Sequence, residues 1–206
     1  LLERRGARVA LVTTAGFEDL IEIGRQNRPR LYDFNVRREP ALIARPLRFG
    51  VRERTSASGE NLRIPAYSEL RRLKARLRRT GAESIALCFL FSFRNPTNER
   101  RVAHALRELG IPISVSHEIL PEFREYERLS TVAINAFLAP RMGEYLRSLV
   151  RMVGEGSPTV PGQAALPQSL DARHLRRERR ALPYKRARVY VMQSSGGITT
   201  AERAAR

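Results

Sequence analysis

Glu125, Glu127, Arg128, Thr131 and Asn135 form the densest group of side chains in this sequence whose types and spacing suit anion chemistry. If the helix expected downstream reaches back to Glu125, intervals of three and four residues (Glu127–Thr131, Arg128–Thr131, Thr131–Asn135) set them along one side. An arginine flanked by acids can hold a phosphate or a carboxylate while staying oriented, because its planar fork pairs with two oxygens at once. The same residues also make a helix-start network of caps and ion pairs, which asks for no ligand. A second candidate is Ser194-Ser195-Gly196-Gly197, directly after an apolar strand. Small residues at a strand's C-terminal end are where open α/β sheets bind ligands, and a plain turn has the same composition. The polar loop Gly24-Arg25-Gln26-Asn27 adds Arg25 and Asn27, with surface capping as the simpler account.

Other chemistries find little support. His117-Glu118 lacks the His-Glu-x-x-His spacing of a helical zinc site, His104 sits alone on a helix, and His174 lies in a basic stretch. No metal constellation is expected. The lone cysteine, Cys88, is inside an apolar run, so disulfides and a cysteine-based zinc site are excluded and a buried, inert thiol is the expectation. There is no Gly-x-Ser-x-Gly elbow and no Cys/His nucleophile pair.

The net charge of +17 invites a nucleic-acid reading. All 38 basic residues except Lys74 and Lys185 are arginines, a skew that suits codon composition better than phosphate contacts. They are also scattered. Arg71, Arg72, Arg76, Arg78 and Arg79 read as a solvated helix face, without interleaved aromatics to stack on bases. A non-catalytic basic binding module is kept as the alternative from another class. No apolar run approaches the roughly 18–20 residues that span a bilayer, and no secretory signal is seen. The cytoplasm is the expected compartment.

These side chains need elements to position them. Val9–Thr13 reads as a buried strand, followed by a turn and a helix carrying Phe17, Leu20 and Ile21 and ended by Gly24. Extended residues return at Leu47–Val51, and Gly59 marks a turn. Ser68 is expected to cap a helix to about Arg79 with Leu70, Leu73 and Leu77 inward. Ser84–Phe91, nearly all apolar, suits a strand buried on both faces. Asn95-Pro96 opens a helix with Val102, Ala105, Leu106 and Leu109 inward, and Ile113–Val115 follows as a strand. This strand–helix–strand rhythm implies parallel pairing, so the fold class is α/β. Thr131–Val153 reads as a long helix that Pro140 should kink or interrupt. Residues 154–188 look like a flexible basic insertion. A last strand, Arg188–Met192, precedes the Ser-Ser-Gly-Gly run.

Four stretches, in order, resemble the hydantoinase A / 5-oxoprolinase family: Val9–Arg28 (VALVTTAGFEDLIEIGRQNR), Ser84–Glu99 (SIALCFLFSFRNPTNE), Val115–Leu138 (VSHEILPEFREYERLSTVAINAFL) and Val191–Gly197 (VMQSSGG). The resemblance covers most of the chain, and residues 154–188 match poorly. It implies part of an actin/Hsp70/sugar-kinase-like (ribonuclease H-like) two-lobe ATPase fold. Residues 1–120 would be the end of the family's N-terminal domain and residues 121–206 the start of the hydantoinase A domain. It also implies ATP and Mg²⁺, a cyclic amide substrate such as 5-oxoproline or a hydantoin, and a second hydantoinase B-type subunit or fused half. The implied reaction opens the ring after phosphorylation of the amide oxygen; a subunit of an acetone- or acetophenone-type carboxylase is the close alternative. The family's phosphate turns, the first of the type Asp-x-Gly-Gly-Thr-x-Thr-Asp, are expected upstream of Leu1 and downstream of Arg206. The chain is therefore expected to be an internal fragment, inactive alone.

Overall fold

The computed structural model of the chain describes residues 6–26, 40–155, 190–192 and 198–200. The chain divides into two compact units, Leu1–Met142 and Gly143–Arg206.

The first unit is built on a four-stranded sheet. Strands β1 (Val9–Thr14), β2 (Arg48–Val51), β5 (Ser84–Cys88) and β6 (Ile113–Val115) lie in the order β2-β1-β5-β6, and each neighbouring pair is parallel. Between β2 and β5 the chain forms an antiparallel pair, β3 (Arg54–Thr55) with β4 (Asn61–Arg63), turned at Gly59 with φ of 95°. Helix α1 (Leu20–Ile23) follows β1, α2 (Tyr67–Arg78) precedes β5, and α3 (Thr97–Leu106) joins β5 to β6. Helix α4 (Ser116–Ile119) leaves β6 directly, and the long α5 (Glu125–Glu155) begins in this unit.

Alternation along the central strands explains the layers. Ala10 and Val12 of β1, with Ile85 and Leu87 of β5, point to one face and pack with Leu70, Leu73 and Leu77 of α2 and Val102 and Leu106 of α3. Val9 and Leu11, with Ala86 and Cys88, point to the other, against Leu129, Val132, Ala133, Ala136 and Phe137 of α5. Both faces are thus buried, which is why these strands read as unbroken apolar runs. Each large aliphatic side chain so buried contributes about 1.5–3 kcal/mol. The arginines of α2 stand outside this core as expected, and Arg76 lies over the Phe49 ring at 4.8 Å.

Several boundaries differ from the sequence reading. The strand expected over Ser84–Phe91 ends at Cys88, because Phe89 to Phe93 turn away and Phe91 takes a left-handed φ of 59°. The cap expected at Ser68 is absent: α2 starts at Tyr67 with Ala66 in the cap position and no side-chain cap bond, so Ser68 lies inside the first turn. Helix α3 starts one residue late, with Pro96 as its cap residue, and Asn95 accepts the Thr97 N–H at 3.1 Å. Pro140 lies within α5 without ending it.

The second unit holds the later part of α5 and an antiparallel pair, β7 (Tyr190–Met192) with β8 (Ile198–Thr200), in register Tyr190 to Thr200. Residues 156–188 of the expected insertion lie outside the described residues, whereas 154 and 155 belong to the last turn of α5.

Candidate functional site

The chain places β2 on one side of β1 and β5 on the other, so strand order reverses between β1 and β5. In open parallel sheets the crevice beyond the C-terminal strand ends at such a point is where ligands bind. A small recess of about 10 Å³ opens there, lined by Thr13 of β1, Phe17 and Leu20, the β5 exit Cys88-Phe89-Leu90, and Glu125, Arg128 and Leu129 of α5.

Arg128 is the group of most interest in it. The residue is 1% exposed, and Val132 and Leu129 beside it on α5 are equally buried. Its Nη1 donates to the Glu122 carbonyl at 2.5 Å and its Nη2 to the Phe89 carbonyl at 2.8 Å. The guanidinium carbon lies 5.2 Å from the centre of the Phe93 ring. Its buried Nε has no hydrogen-bond partner, and among the described residues no carboxylate lies within ion-pair distance. A buried charge in that state is costly unless something supplies an acceptor. The neighbouring Cys88 thiol is pushed up to about 11, chiefly by burial, with Arg128 opposing the rise.

Behind the recess lies a buried polar network that the sequence reading missed. Glu99, fully buried at the start of α3, accepts from the Phe89 N–H at 2.9 Å, the Ser116 hydroxyl at 2.8 Å, the His117 N–H at 3.0 Å and His117 Nδ1 at 2.6 Å. Glu53, just past β2, accepts the Thr14 hydroxyl and, at 3.0 Å, Asn98 Nδ2. The Leu90 N–H in turn donates to Thr14 Oγ1 at 3.0 Å, tying the β5 exit to β1. Burial pushes the Glu53 carboxyl above the ordinary range; bonds from Thr14 and Asn98 oppose this, and the charge on Glu99 adds to it. Asn98 uses Nδ2 twice, on Glu53 and on the Arg63 carbonyl at 3.0 Å, which leaves its Oδ1 buried and unpaired. A signal for Glu99 was present: it falls three residues before Val102 on the inward stripe of α3, an acid where an apolar residue is expected. Glu53 carried none.

The five residues of the α5 candidate do not converge on one point. Arg128 and Glu125 line the recess, Glu125 from its exposed rim. Glu127 instead pairs with Arg25, at 2.7 Å, joining two candidates 102 positions apart. Its carboxyl is held below the usual range by a bond from its own backbone and then, against some desolvation, by Arg25. Thr131 is exposed and donates to the Glu127 carbonyl at 2.8 Å, inside its own helix. Asn135 donates to Ser114 of β6 at 2.9 Å. Asn27 and Ser194, Ser195, Gly196 and Gly197 lie outside the described residues.

Comparison with known proteins decides the lineage. The family model described as the hydantoinase/oxoprolinase N-terminal region matches residues 1–110, more than half of the chain. The chain belongs to the hydantoinase/oxoprolinase family. This family member is 36% identical to the acetophenone carboxylase gamma subunit of Aromatoleum aromaticum over 69% of the chain and 21% of that protein. It is 30% identical to the 5-oxoprolinase of Saccharomyces cerevisiae over 72% of the chain and 14% of that protein. It also matches the crystal structure of the ATP-dependent caprolactamase from Pseudomonas jessenii. There the TM-score is 0.66 and the identity 30%, over 72% of the chain and 22% of that structure. The chain spans a quarter or less of the length of the curated relatives it matches. The parallel α/β architecture and the likeness to an ATP-dependent enzyme agree with the actin-like ATPase class expected from sequence.

The recess does not by itself fit a nucleotide. The recess, at about 10 Å³, is far smaller than the roughly 300–1,000 Å³ of pockets that bury ligands of nucleotide size. Among the described residues no three His, Cys, Asp or Glu side chains gather as a metal-binding group, and no helix is long and apolar enough to cross a membrane.

Proposed function

We propose that the enzyme containing this chain opens a cyclic amide, such as 5-oxoproline or a hydantoin, in a reaction driven by ATP. The observation that carries this reading is the match in sequence and fold to ATP-dependent caprolactamase, with 5-oxoprolinase among the sequence relatives. The chemistry explains the need for ATP. Amide resonance makes an unstrained lactam carbonyl a poor electrophile, and the leaving nitrogen stays tethered where it can re-close the ring. Transfer of the γ-phosphoryl group to the amide oxygen creates an imidate-like carbon; water adds to that carbon, the adduct expels the ring nitrogen as an amine that takes up a proton, and a second water attacks the resulting acyl phosphate at carbon, so that phosphate departs with the former amide oxygen. Stabilisation of such a transfer rests on positioning and on Mg²⁺. The nucleotide and Mg²⁺ are assigned to other parts of the enzyme, since the recess does not fit a nucleotide and no metal-binding group gathers among the described residues.

In this reading residues 1–120 end the N-terminal domain and residues 121–206 begin the hydantoinase A domain, with the basic insertion, expected over 154–188, starting after α5 ends at Glu155. The recess forms part of the substrate wall. Phe17, Leu20 and Leu129 offer apolar contact to a small ring, and Arg128 Nε offers a buried donor to a ligand oxygen. Glu125 sits at the rim, and Ser194 to Gly197 are assigned to phosphate or substrate contact. A second hydantoinase B-type subunit or fused half completes the enzyme; two relatives are themselves named as subunits.

The gamma subunit of acetophenone carboxylase, at 36% identity, favours a second reading in which a ketone or enol oxygen takes the place of the amide oxygen. Assay of the full-length protein with its partner separates the two. ATP hydrolysis stimulated by 5-oxoproline, hydantoin or caprolactam supports the amidohydrolase. Stimulation only by acetone or acetophenone with bicarbonate supports the carboxylase, and stimulation by none of these contradicts both.

A further inference from the structure

We propose, resting on the amide-opening reading, that the switch-point recess takes a carboxylate oxygen of the substrate, so that the enzyme selects a cyclic amide bearing an acid group over a neutral one. The size of the recess sets what can enter. About 10 Å³ is room for one oxygen-sized group and not for a ring. A lactam ring therefore stays at the mouth, against Phe17, Leu20 and Leu129, and only an oxygen carried by the ring goes in. That oxygen is not the reacting one, because an amide oxygen enclosed beside Arg128 is out of reach of a phosphoryl group. The ring must carry another.

Charge decides which oxygen that is. Arg128 lines the recess and is 1% exposed; Nη1 and Nη2 are taken by the neutral carbonyls of Glu122 and Phe89, and Nε has no partner. The guanidinium is thus a buried cation with a free donor and, among the described residues, no carboxylate within ion-pair distance. The acids around it are engaged elsewhere or exposed. Glu99, beyond Phe89, accepts from Phe89, Ser116 and His117. Glu127 pairs with Arg25, and Glu125 stands exposed at the rim. The recess also lies at the first turns of α5, a 31-residue helix whose positive end favours an anion. A neutral carbonyl would satisfy Nε and leave the buried charge uncompensated. A carboxylate does both.

The test is a calorimetric titration of the full-length protein with its partner, in Mg²⁺ and a non-hydrolysable ATP analogue. The probes are 5-oxoproline, its carboxamide and 2-pyrrolidinone, which share the ring and its amide and differ in the ring substituent. The expected result is that 5-oxoproline binds about a hundredfold more tightly than either neutral lactam. Arg128→Lys removes Nε and the planar fork while keeping the charge, and should narrow that preference about tenfold. A purely structural defect would weaken all three probes alike. Melting curves show whether Arg128→Lys folds; if it does not, the wild-type comparison decides by itself. Equal affinity of wild type for the acid and its carboxamide, an unchanged preference in folded Arg128→Lys, or no binding of 5-oxoproline overturns the proposal. ATP hydrolysis stimulated by no lactam, with the preference for the acid intact, would instead contradict the amide-opening reading and leave the recess as a carboxylate site.

Discussion

Glu99 and Arg128 hold the same residue from opposite sides: the carboxylate accepts the Phe89 N–H at 2.9 Å, and the guanidinium donates to the Phe89 carbonyl at 2.8 Å. Phe89 is the first residue beyond β5, so the pair fixes how the chain leaves the sheet at its ligand-facing edge. Two residues later Phe91 takes its φ of 59°. A left-handed conformation there costs a non-glycine residue about 1–2 kcal/mol. The cost is met because the bonds on Phe89, with those from Ser92 to Phe89 and Ser116, leave the turn little alternative.

Arg128 is therefore expected to serve both the fold and the recess, and two substitutions separate these roles. Arg128→Gln shortens the side chain and leaves the Glu122 and Phe89 carbonyls without their donors, at about 1–3 kcal/mol for each. Its urea midpoint should fall accordingly. Arg128→Lys keeps the charge and is expected to fold, yet to lose about tenfold or more in kcat/KM for the amide with the KM for ATP unchanged. Wild-type kinetics in Arg128→Lys would remove Arg128 from the substrate wall.

Glu53 should leave a mark on stability against pH. Its folded carboxyl titrates above the usual value through burial, so the native state holds this proton more tightly than the unfolded chain does. Stability from this group is then greatest at low pH. It falls as pH rises from the ordinary value of 4.5 to the raised one, and is level beyond. Glu53→Gln should remove that downward slope, read as the difference between wild-type and variant urea midpoints from about pH 4 to 8. Parallel profiles for the two proteins would mean that Glu53 is not titrating as a buried acid.

Cys88 should resist alkylation until the protein opens. With the thiol pushed up to about 11 by burial, roughly one molecule in a thousand carries the thiolate at about pH 8. Iodoacetamide labelling of the native protein should thus track opening and become fast in urea. Prompt labelling without denaturant would show that the β5 exit is open to solvent.

Gly50 is expected to tolerate no side chain. A Cβ there would fall 1.9 Å from Glu18 Oε1 and 2.9 Å from the Ala15 Cα. Glu18 can swing away by giving up its bond from the Gly16 N–H, but the Ala15 backbone cannot move without disturbing the end of β1. Gly50→Ala should cost about 1–3 kcal/mol. An unchanged urea midpoint would show that the β1–α1 turn yields easily.

What the sequence made legible follows from which interactions are local. The strands that start at Val9 and Ser84, expected to run to Thr13 and Phe91, were readable because burial on both faces demands unbroken apolar runs, and α2 and α3 because their leucine and valine stripes have helical period. Strand and helix ends were less so. The exit at Phe89 depends on Glu99 and Arg128, 10 and 39 positions away, and no local residue announces it. The site divided in the same way. Arg128 stood out by type and spacing and does lie at the sheet edge, whereas Thr131, grouped with it by helical interval, faces solvent. Glu53 escaped notice because its partners Thr14 and Asn98 are 39 and 45 positions distant.

The most direct measurement follows the oxygen of the substrate amide. The full-length enzyme with its partner is supplied with ATP and a lactam labelled with ¹⁸O at the ring carbonyl, and the released phosphate is analysed by mass spectrometry. If ATP activates the amide oxygen, one ¹⁸O atom should appear in inorganic phosphate for each ring opened. Ring opening that leaves all the label in the product carboxylate would contradict departure of phosphate with the amide oxygen and, with it, the route proposed for ATP.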